Sequence, residues 1–292
     1  MSLLGRLEAL MHRPLTRIAL SATIGNPAAI AQWFSSKRPD APPIRVIADP
    51  GSRKRALRVG LVAVPCREGE SAKDDAERVN QRAYEVAARH ADGHRSIVFV
   101  RSRAKAEELT SSLRMKGIET LIHHGSLSVE VRTAAEAAMK VDGTNIIVAT
   151  STLELGIDIG DLEQVLQLGP VDSISSWLQR IGRSGRSRES TSVGIMYALD
   201  PGDLPIALAL CDLANESVSE ALQPDRCSYR FAFQQTLNFL RERDQVTRSE
   251  LEDTLAPLGP FDAMALDEWR TLVDEMIDDG FVELVGGSLQ LG

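Results

Sequence analysis

The chain has 292 residues, 43% hydrophobic and 25% charged, which suits about two soluble globular domains with apolar material for more than one core. No stretch approaches the roughly 20 apolar residues of a membrane span, and the N-terminus lacks a signal-peptide pattern; the expectation is a cytoplasmic protein with no membrane partner. Cys66, Cys211 and Cys227 have neither metal-ligand spacing nor the even number of a disulfide framework, and read as free thiols with no metal site.

The net charge of -8 is unevenly spread. Residues 206–292 hold 6 basic and 17 acidic side chains, so of the 33 and 41 in the whole chain, 27 and 24 lie before them. The C-terminal part is thus at -11 and the rest at +3, which leaves room for a local basic groove of the kind phosphate binding needs.

In chain order, Thr16 to Ala22 reads as a buried strand running into a Ser-Ala-Thr turn. Asn26-Pro27 opens a helix with Ile30, Trp33 and Phe34 on one face, and Ile44 to Ala48 reads as another strand. Asp49-Pro50-Gly51 and the basic run Arg53-Lys54-Arg55 make a linker, either a solvated loop or a phosphate contact. From about Leu57, strands alternate with helices: strands over Ser96 to Val100, Thr120 to His123, Asn145 to Ala149, Gln164 to Leu168 and Val193 to Leu199, helices over Ala104 to Met115, Val129 to Lys140 and Ile174 to Arg183. Continuous β-branched runs between amphipathic helices predict a parallel sheet covered on both faces, with Arg101, Thr150 and Gly156 on the rim at the carboxyl ends of its strands. After Pro201 the composition shifts to helices near Leu204 to Asn215, Phe231 to Arg241, Arg248 to Leu255 and Glu268 to Ile277. A hairpin turning at Gly286-Gly287 follows, giving the outline of a small winged-helix domain.

Two segments carry chemistry. In Gln179-Arg180-Ile181-Gly182-Arg183-Ser184-Gly185-Arg186, a helix ends in glycine-spaced arginines that can set planar cations against a phosphoryl group, although a basic helix end is also what the macrodipole favours. Upstream, Ala149 to Asp158 starts at the end of a buried strand. There Gly156 would allow close backbone approach and Asp158 could accept from a ribose hydroxyl, unless the segment is a simple strand-to-loop turn.

Together these segments resemble motifs VI and V of superfamily 2 helicases of the DEAD/DEAH-box kind. Leu20-Ser21-Ala22-Thr23 resembles motif III, and Ile97 to Arg101 motif IV. Ser-Ala-Thr-Ile-Gly-Asn-Pro and His123-His124-Gly125-Ser126-Leu127-Ser128 are most similar to the large-helicase-related (Lhr) branch and its Ski-like relatives, and the resemblance covers Leu7 to Leu199. It implies a RecA-like fold, with Arg183 and Arg186 as arginine fingers and Gln179, Gly156 and Asp158 holding ATP. It further implies that Arg101, Ser102, His124, Gly125 and Thr150 contact the backbone of single-stranded or partly duplex nucleic acid, while Ser21 and Thr23 couple the two sites. Binding through the backbone would be largely independent of sequence and sensitive to salt. The histidine pair also reads as a strand-end turn without ligand contact.

The sequence contains no Gly-x-x-x-x-Gly-Lys-Ser/Thr phosphate loop and no Asp-Glu-x-His/Asp box. The expected layout is therefore a remnant of a first RecA-like domain over 1–50, the second RecA-like domain over 51–205 and the winged helix over 206–292. The rest of the first domain, with the Mg²⁺ ligands, would be supplied in cis or in trans. Met1 to Ala48 is then expected to be poorly anchored, aggregation-prone or held by a partner, and the chain alone to bind ATP weakly without turning it over. In the last helix Asp267, Glu268, Asp274, Glu275, Asp278 and Asp279 face a single Arg270, which suits a brace or protein-docking surface better than a groove reader. Trp269, Leu272, Val273 and Met276 form its core face. A non-catalytic nucleic-acid-binding or regulatory protein built from a helicase half is the alternative.

Overall fold

The computed structural model describes residues 2–21, 23–36, 38–48, 54–65, 67, 69, 71–140, 146–154, 162–185, 190–243 and 245–292. Helices α1 (Ser2–Met11) and α2 (Pro27–Phe34) come first. Then follow β1 (Arg55–Leu61), α3 (Ala72–Ala91), β2 (Ser96–Phe99), α4 (Arg103–Met115), β3 (Thr120–His123), α5 (Val129–Lys140), β4 (Ile146–Ala149), β5 (Gln164–Leu168), α6 (Ile174–Ile181), β6 (Ser192–Ala198) and α7 (Asp203–Asn215). The chain closes with α8 (Tyr229–Arg241), β7 (Val246–Thr247), α9 (Arg248–Leu255), α10 (Leu266–Asp278), β8 (Val282–Val285) and β9 (Ser288–Leu291). These elements form a large unit, residues 49–220 with 22–25, and a small unit, residues 221–292 with 1–21 and 26–48.

The large unit is built on a six-stranded parallel sheet in the order β1-β6-β5-β2-β4-β3. Side chains alternate across a strand, and β2 shows why both faces must be covered. Ile97 and Phe99 pack with α6 and α7 around Trp177, Ile181, Ala207 and Ala214. Val98 and Val100 pack on the other face with Ala83, Ala87, Ala106 and Leu109 of α3 and α4. From β2 the chain runs to the edge strand β3, returns to β4 beside β2, and then crosses to β5 and β6 on the other side of β2. The order reverses between β2 and β5, and the crevice outside the carboxyl ends at such a point is where open parallel sheets hold ligands. Gly194 in β6 is imposed by packing: a Cβ there would lie 2.7 Å from Ile181 Cγ2 and 3.0 Å from Trp177 Cζ2.

The RecA-like parallel sheet is thus present, with differences at its borders. Helix α7 packs on β1 and α6 through Ala207, Leu210, Cys211 and Ala214, so the sheet unit runs past the expected boundary at 205. Among the described residues of Thr16 to Ala22 and Ile44 to Ala48 there is no strand; their backbones have no ladder partner, and Ile18 and Leu20 are exposed. Helices α1 and α3 are additional to the sequence reading.

In the small unit, α8, α9 and α10 surround Phe239, Leu251, Phe261 and Trp269, and β7-β9-β8 forms an antiparallel sheet on them. The expected three helices and hairpin are there. On α10 Trp269, Val273 and Met276 are buried, Leu272 is half-buried and the six carboxylates are exposed.

The expectation that Met1 to Ala48 would be poorly anchored is corrected. Arg6 is buried and its Nη1 donates to Gln235 Oε1 at 2.9 Å, while Nη2 pairs with Glu242. Glu8, 2% exposed, accepts from Arg17 Nη2 at 2.8 Å, from the Leu15 amide at 2.9 Å and from the Ser36 hydroxyl at 2.7 Å. Asn26 and Leu222 exchange two hydrogen bonds of 2.8 Å. Polar groups hold this segment in place, while Leu3, Leu7 and Leu10 of α1 are exposed.

Burial raises the Glu8 pKa, but the hydrogen bonds from Leu15, Ser36 and Arg17 outweigh it and hold the carboxyl below the usual carboxylate range. A carboxyl depressed in the folded state stabilises fully above its unfolded pKa, and that contribution is lost as pH falls through the folded one. Glu8→Ala also strands the buried Arg17 guanidinium, and is expected to cost about 3 kcal/mol near neutral pH in urea denaturation. The difference from the parent should shrink below the ordinary range for glutamate; an unchanged midpoint at pH 7 would refute the anchoring role.

Candidate functional site

Strand register decides which residues share a rim. Phe99 pairs with Ala149, and Ala149 with His123, so the residues that follow, Val100, Thr150 and His124, emerge side by side. The Val100 amide donates to Ala149 O at 2.9 Å and the Thr150 amide to His123 O at 3.3 Å, which carries the ladder past the strand ends. Arg101 continues from β2 into the crevice beside β5, where its Nε and Nη2 donate to Pro170 O at 3.3 and 3.2 Å and Asp203 lies at 3.6 Å. Ser102 is the N-cap of α4, its Oγ accepting from the Lys105 amide at 3.2 Å. Gly125 lies beyond β3, near Thr152 and Arg103. The structure therefore brings Arg101, Ser102, Thr150, His124 and Gly125 to one rim.

The two histidines behave differently from a pair of exposed ligands. The His124 ring is buried, with Nε2 3.4 Å from Glu107 Oε1; its backbone lies on the rim but its side chain does not. His123 is buried between Thr152 Oγ1, 2.9 Å from Nδ1, and Glu136 Oε1, 3.1 Å from Nε2. Burial pulls its pKa below the ordinary value and outweighs the Glu136 carboxylate, which pulls it up. In the neutral ring Nε2–H donates to Glu136 and Nδ1 accepts from Thr152, so His123 orients the turn after β4.

Helix α6 carries the arginine array. Its interior face buries Ile174, Trp177 and Ile181, and Ser173 caps it. Arg180 turns inward: Nε donates to Glu154 Oε1 at 2.9 Å, Nη2 reaches the same oxygen, Nη1 donates to Gln167 Oε1, and the guanidinium lies 4.8 Å from the Phe99 ring centre. Arg183 Nη2 donates to the backbone carbonyl of Glu154, which ties the array to the segment after β4. Gln179 Nε2 donates to Thr23 Oγ1 at 3.3 Å, so the helix also meets the Ser-Ala-Thr segment. Ser21 belongs to the small unit and is exposed. Gly156, Asp158 and Arg186 lie outside the described residues. A cleft of about 620 Å³ opens beside α6, lined among others by Arg101, Ser151, Glu154, Pro170, Gln179 and Arg180.

Four residues escaped the sequence reading. Glu154 and Arg180 stand in the two motifs as opposite charges, and Gln167 is a polar residue within a buried strand, which demands a partner; those were usable signals. Glu220 had none. Its carboxylate accepts from the Ile174 and Ser175 amides and the Ser175 hydroxyl at the start of α6. Burial raises its pKa, and these hydrogen bonds bring it below the usual range.

Residues 78–188 match the family described as the helicase conserved C-terminal domain. The chain is 31% identical over 236 residues to an Lhr helicase of Mycolicibacterium smegmatis, covering 69% of this chain and 15% of that protein. It is 28% identical to the Lhr helicase/uracil glycosylase of Escherichia coli, covering 92% of this chain and 19% of that one. A solved structure of Mycobacterium smegmatis helicase Lhr bound to single-stranded DNA and AMP-PNP is similar with a TM-score of 0.83 at 28% identity, over 100% of this chain and 38% of that chain. The chain thus spans less than a fifth of the length of these two curated relatives.

Two measurements check this geometry. In an NMR titration the His123 ring is expected to have its midpoint below that of an exposed histidine; a midpoint at or above that of an exposed histidine would contradict its burial. Glu154→Ala leaves the Arg180 guanidinium beside Phe99 without its counter-charge, and is expected to cost about 3 kcal/mol in denaturant unfolding. Adding Arg180→Met should recover part of that loss, which two independent sites would not show.

Proposed function

The chain belongs with the Lhr-like branch of the superfamily 2 helicases, and from that premise we propose that it supplies the second motor domain of an ATP-dependent nucleic-acid helicase. The observation that carries the proposal is the meeting on one helix of three motif segments: Gln179 with Thr23 at 3.3 Å, and Arg183 with the Glu154 carbonyl. A motor that turns nucleotide hydrolysis into strand movement needs such a junction, and a simple strand-binding protein does not.

The donor set suits a polyphosphate. Gln179 and Arg183 offer carboxamide and guanidinium N–H groups and no negative charge, and Arg186, Gly156 and Asp158 are proposed to complete the nucleotide contacts from the same motifs. Bound ATP would supply the phosphoryl group whose transfer to water drives the motor; the arginines would stabilise the charge that spreads over its oxygens. Among the described residues no three His, Cys, Asp or Glu side chains gather as a metal site. The Mg²⁺ ligands and the phosphate loop are proposed to come from a first motor domain, in cis or in trans.

On the rim, the Ser102-capped start of α4, the exposed part of Arg101, the backbone at His124-Gly125 and Thr150 are proposed to follow the phosphates of one strand. The small unit, read as a winged helix, presents carboxylates on α10. It suits bracing or protein docking better than reading a groove.

The test is ATP turnover, with and without single-stranded DNA, by the chain alone and by the chain joined to a first motor domain. DNA-stimulated turnover is expected only in the joined form, and Arg183→Ala should lower it about a thousandfold. Stimulated turnover by the chain alone, or an Arg183→Ala variant that keeps its rate, would overturn the proposal.

A further inference from the structure

An α-helix leaves its first four amide donors without partners inside the helix. At α6 the donors of the first turn, Ile174, Ser175 and Ser176, are accounted for, from two sources. Ser173, the local cap, takes the Ser176 amide on its Oγ at 3.0 Å, while its carbonyl accepts the first regular helical hydrogen bond, from the Trp177 amide at 3.2 Å. The Ile174 and Ser175 amides both go to the carboxylate of Glu220, 46 residues downstream of Ile174, with Ser175 N at 2.9 Å and the Ser175 hydroxyl donating as well. A carboxylate there also faces the positive end of the helix dipole.

Glu220 has a second engagement. Its carbonyl accepts from the Gly25 amide at 3.1 Å, and the two backbones are in close contact: a Cβ on Gly25 would lie 2.2 Å from Ser219 O and 2.7 Å from Glu220 O. Only glycine fits. Two residues before Gly25, Thr23 accepts from Gln179 on the same helix. The Thr23–Gly25 segment therefore engages α6 twice, directly at Gln179 and through Glu220 at the first turn.

We propose that Glu220 is a positioning residue: seated against Gly25, it fixes the helix that carries the arginine array and makes its placement depend on the Ser-Ala-Thr segment. Glu220 touches no reacting atom and acts through α6. What the array then does rests on the helicase reading above, whereas the linkage from Gly25 through Glu220 to Ile174 and Ser175 does not.

Amide exchange and NMR of the chain itself test the linkage. Gly25→Ala removes no contact of the Glu220 carboxylate, yet it should speed exchange of the Ile174 and Ser175 amides about tenfold and shift the Gln179 side-chain amide resonance. Glu220→Gln should do at least as much, Glu220→Asp less, and the double variant no more than the larger single one. In the joined motor, Glu220→Gln is expected to lower kcat about tenfold with little change in the KM for ATP, with partial rescue by Glu220→Asp. Unchanged exchange at Ile174 and Ser175 in Gly25→Ala would overturn the linkage, whatever the turnover. So would faster exchange spread over the whole sheet unit with no rescue by Glu220→Asp, which marks a general loss of stability. Intact coupling by exchange, together with an Arg183→Ala variant of full turnover, would leave the linkage standing and overturn the role in the motor.

Discussion

Helix α6 must sit flush against the sheet, and most of the large unit follows from that requirement. Trp177 is fully buried between β6 and α7, and the helix is only eight residues long, too short to be stable by itself. Its position is therefore set from outside. Apolar contact fixes its depth, the Glu220 carboxylate and Ser173 hold its first turn, and the Arg180–Glu154–Gln167 network holds its last. The ion pair is nearly buried and also ringed by Phe99, so it specifies one arrangement more than it adds stability. Arg183 extends from a helix already fixed at both ends, and its Nη2 is held by the Glu154 carbonyl.

The rim follows a simpler constraint. Parallel strands in register deliver their next residues in a row, so Val100, Thr150 and His124 become neighbours although the sequence spreads them over three motifs. The reversal of strand order between β2 and β5 opens the crevice that Arg101 enters. Backbone groups and helix starts dominate this edge, which suits a ligand recognised by its phosphates. His123 illustrates the division of labour: buried, with its pKa pulled down by that burial, it is spent on orienting the turn after β4.

Much of the sheet was legible because buried parallel strands are continuous β-branched runs, as in Ser-Ile-Val-Phe and Ile-Ile-Val-Ala. Helix α3 was not, since its buried face, Ala83, Tyr84, Ala87, Ala88 and Ala91, is mostly alanine and offers little apolar bulk to read. Helix α7 was read at its place in the chain but assigned to the C-terminal part, for a related reason. Its contact with the sheet runs through small residues, and a shift in composition after Pro201 looked like a boundary. Thr16 to Ala22 and Ile44 to Ala48 have strand-like composition, but a strand exists only where a neighbour offers a ladder. At the site, Arg183, Gln179 and Thr23 could be named from the resemblance to helicase motifs, while Glu220 could not, because its partners are remote in sequence and its own surroundings carry no motif.

Gly194 gives the packing of α6 a further meaning. The helix lies so close to β6 that one added methyl group would press on Ile181 and Trp177 together. Those two side chains share a helix with Gln179 and Arg180, and Arg183 follows directly. Lifting the helix by a fraction of a bond length would carry the polar groups with it, although none of them touches residue 194. The distance from sheet to guanidinium is thus gauged by a missing carbon atom deep in the core, and a substitution there would act as a spacer, changing reach while leaving every charged residue in place.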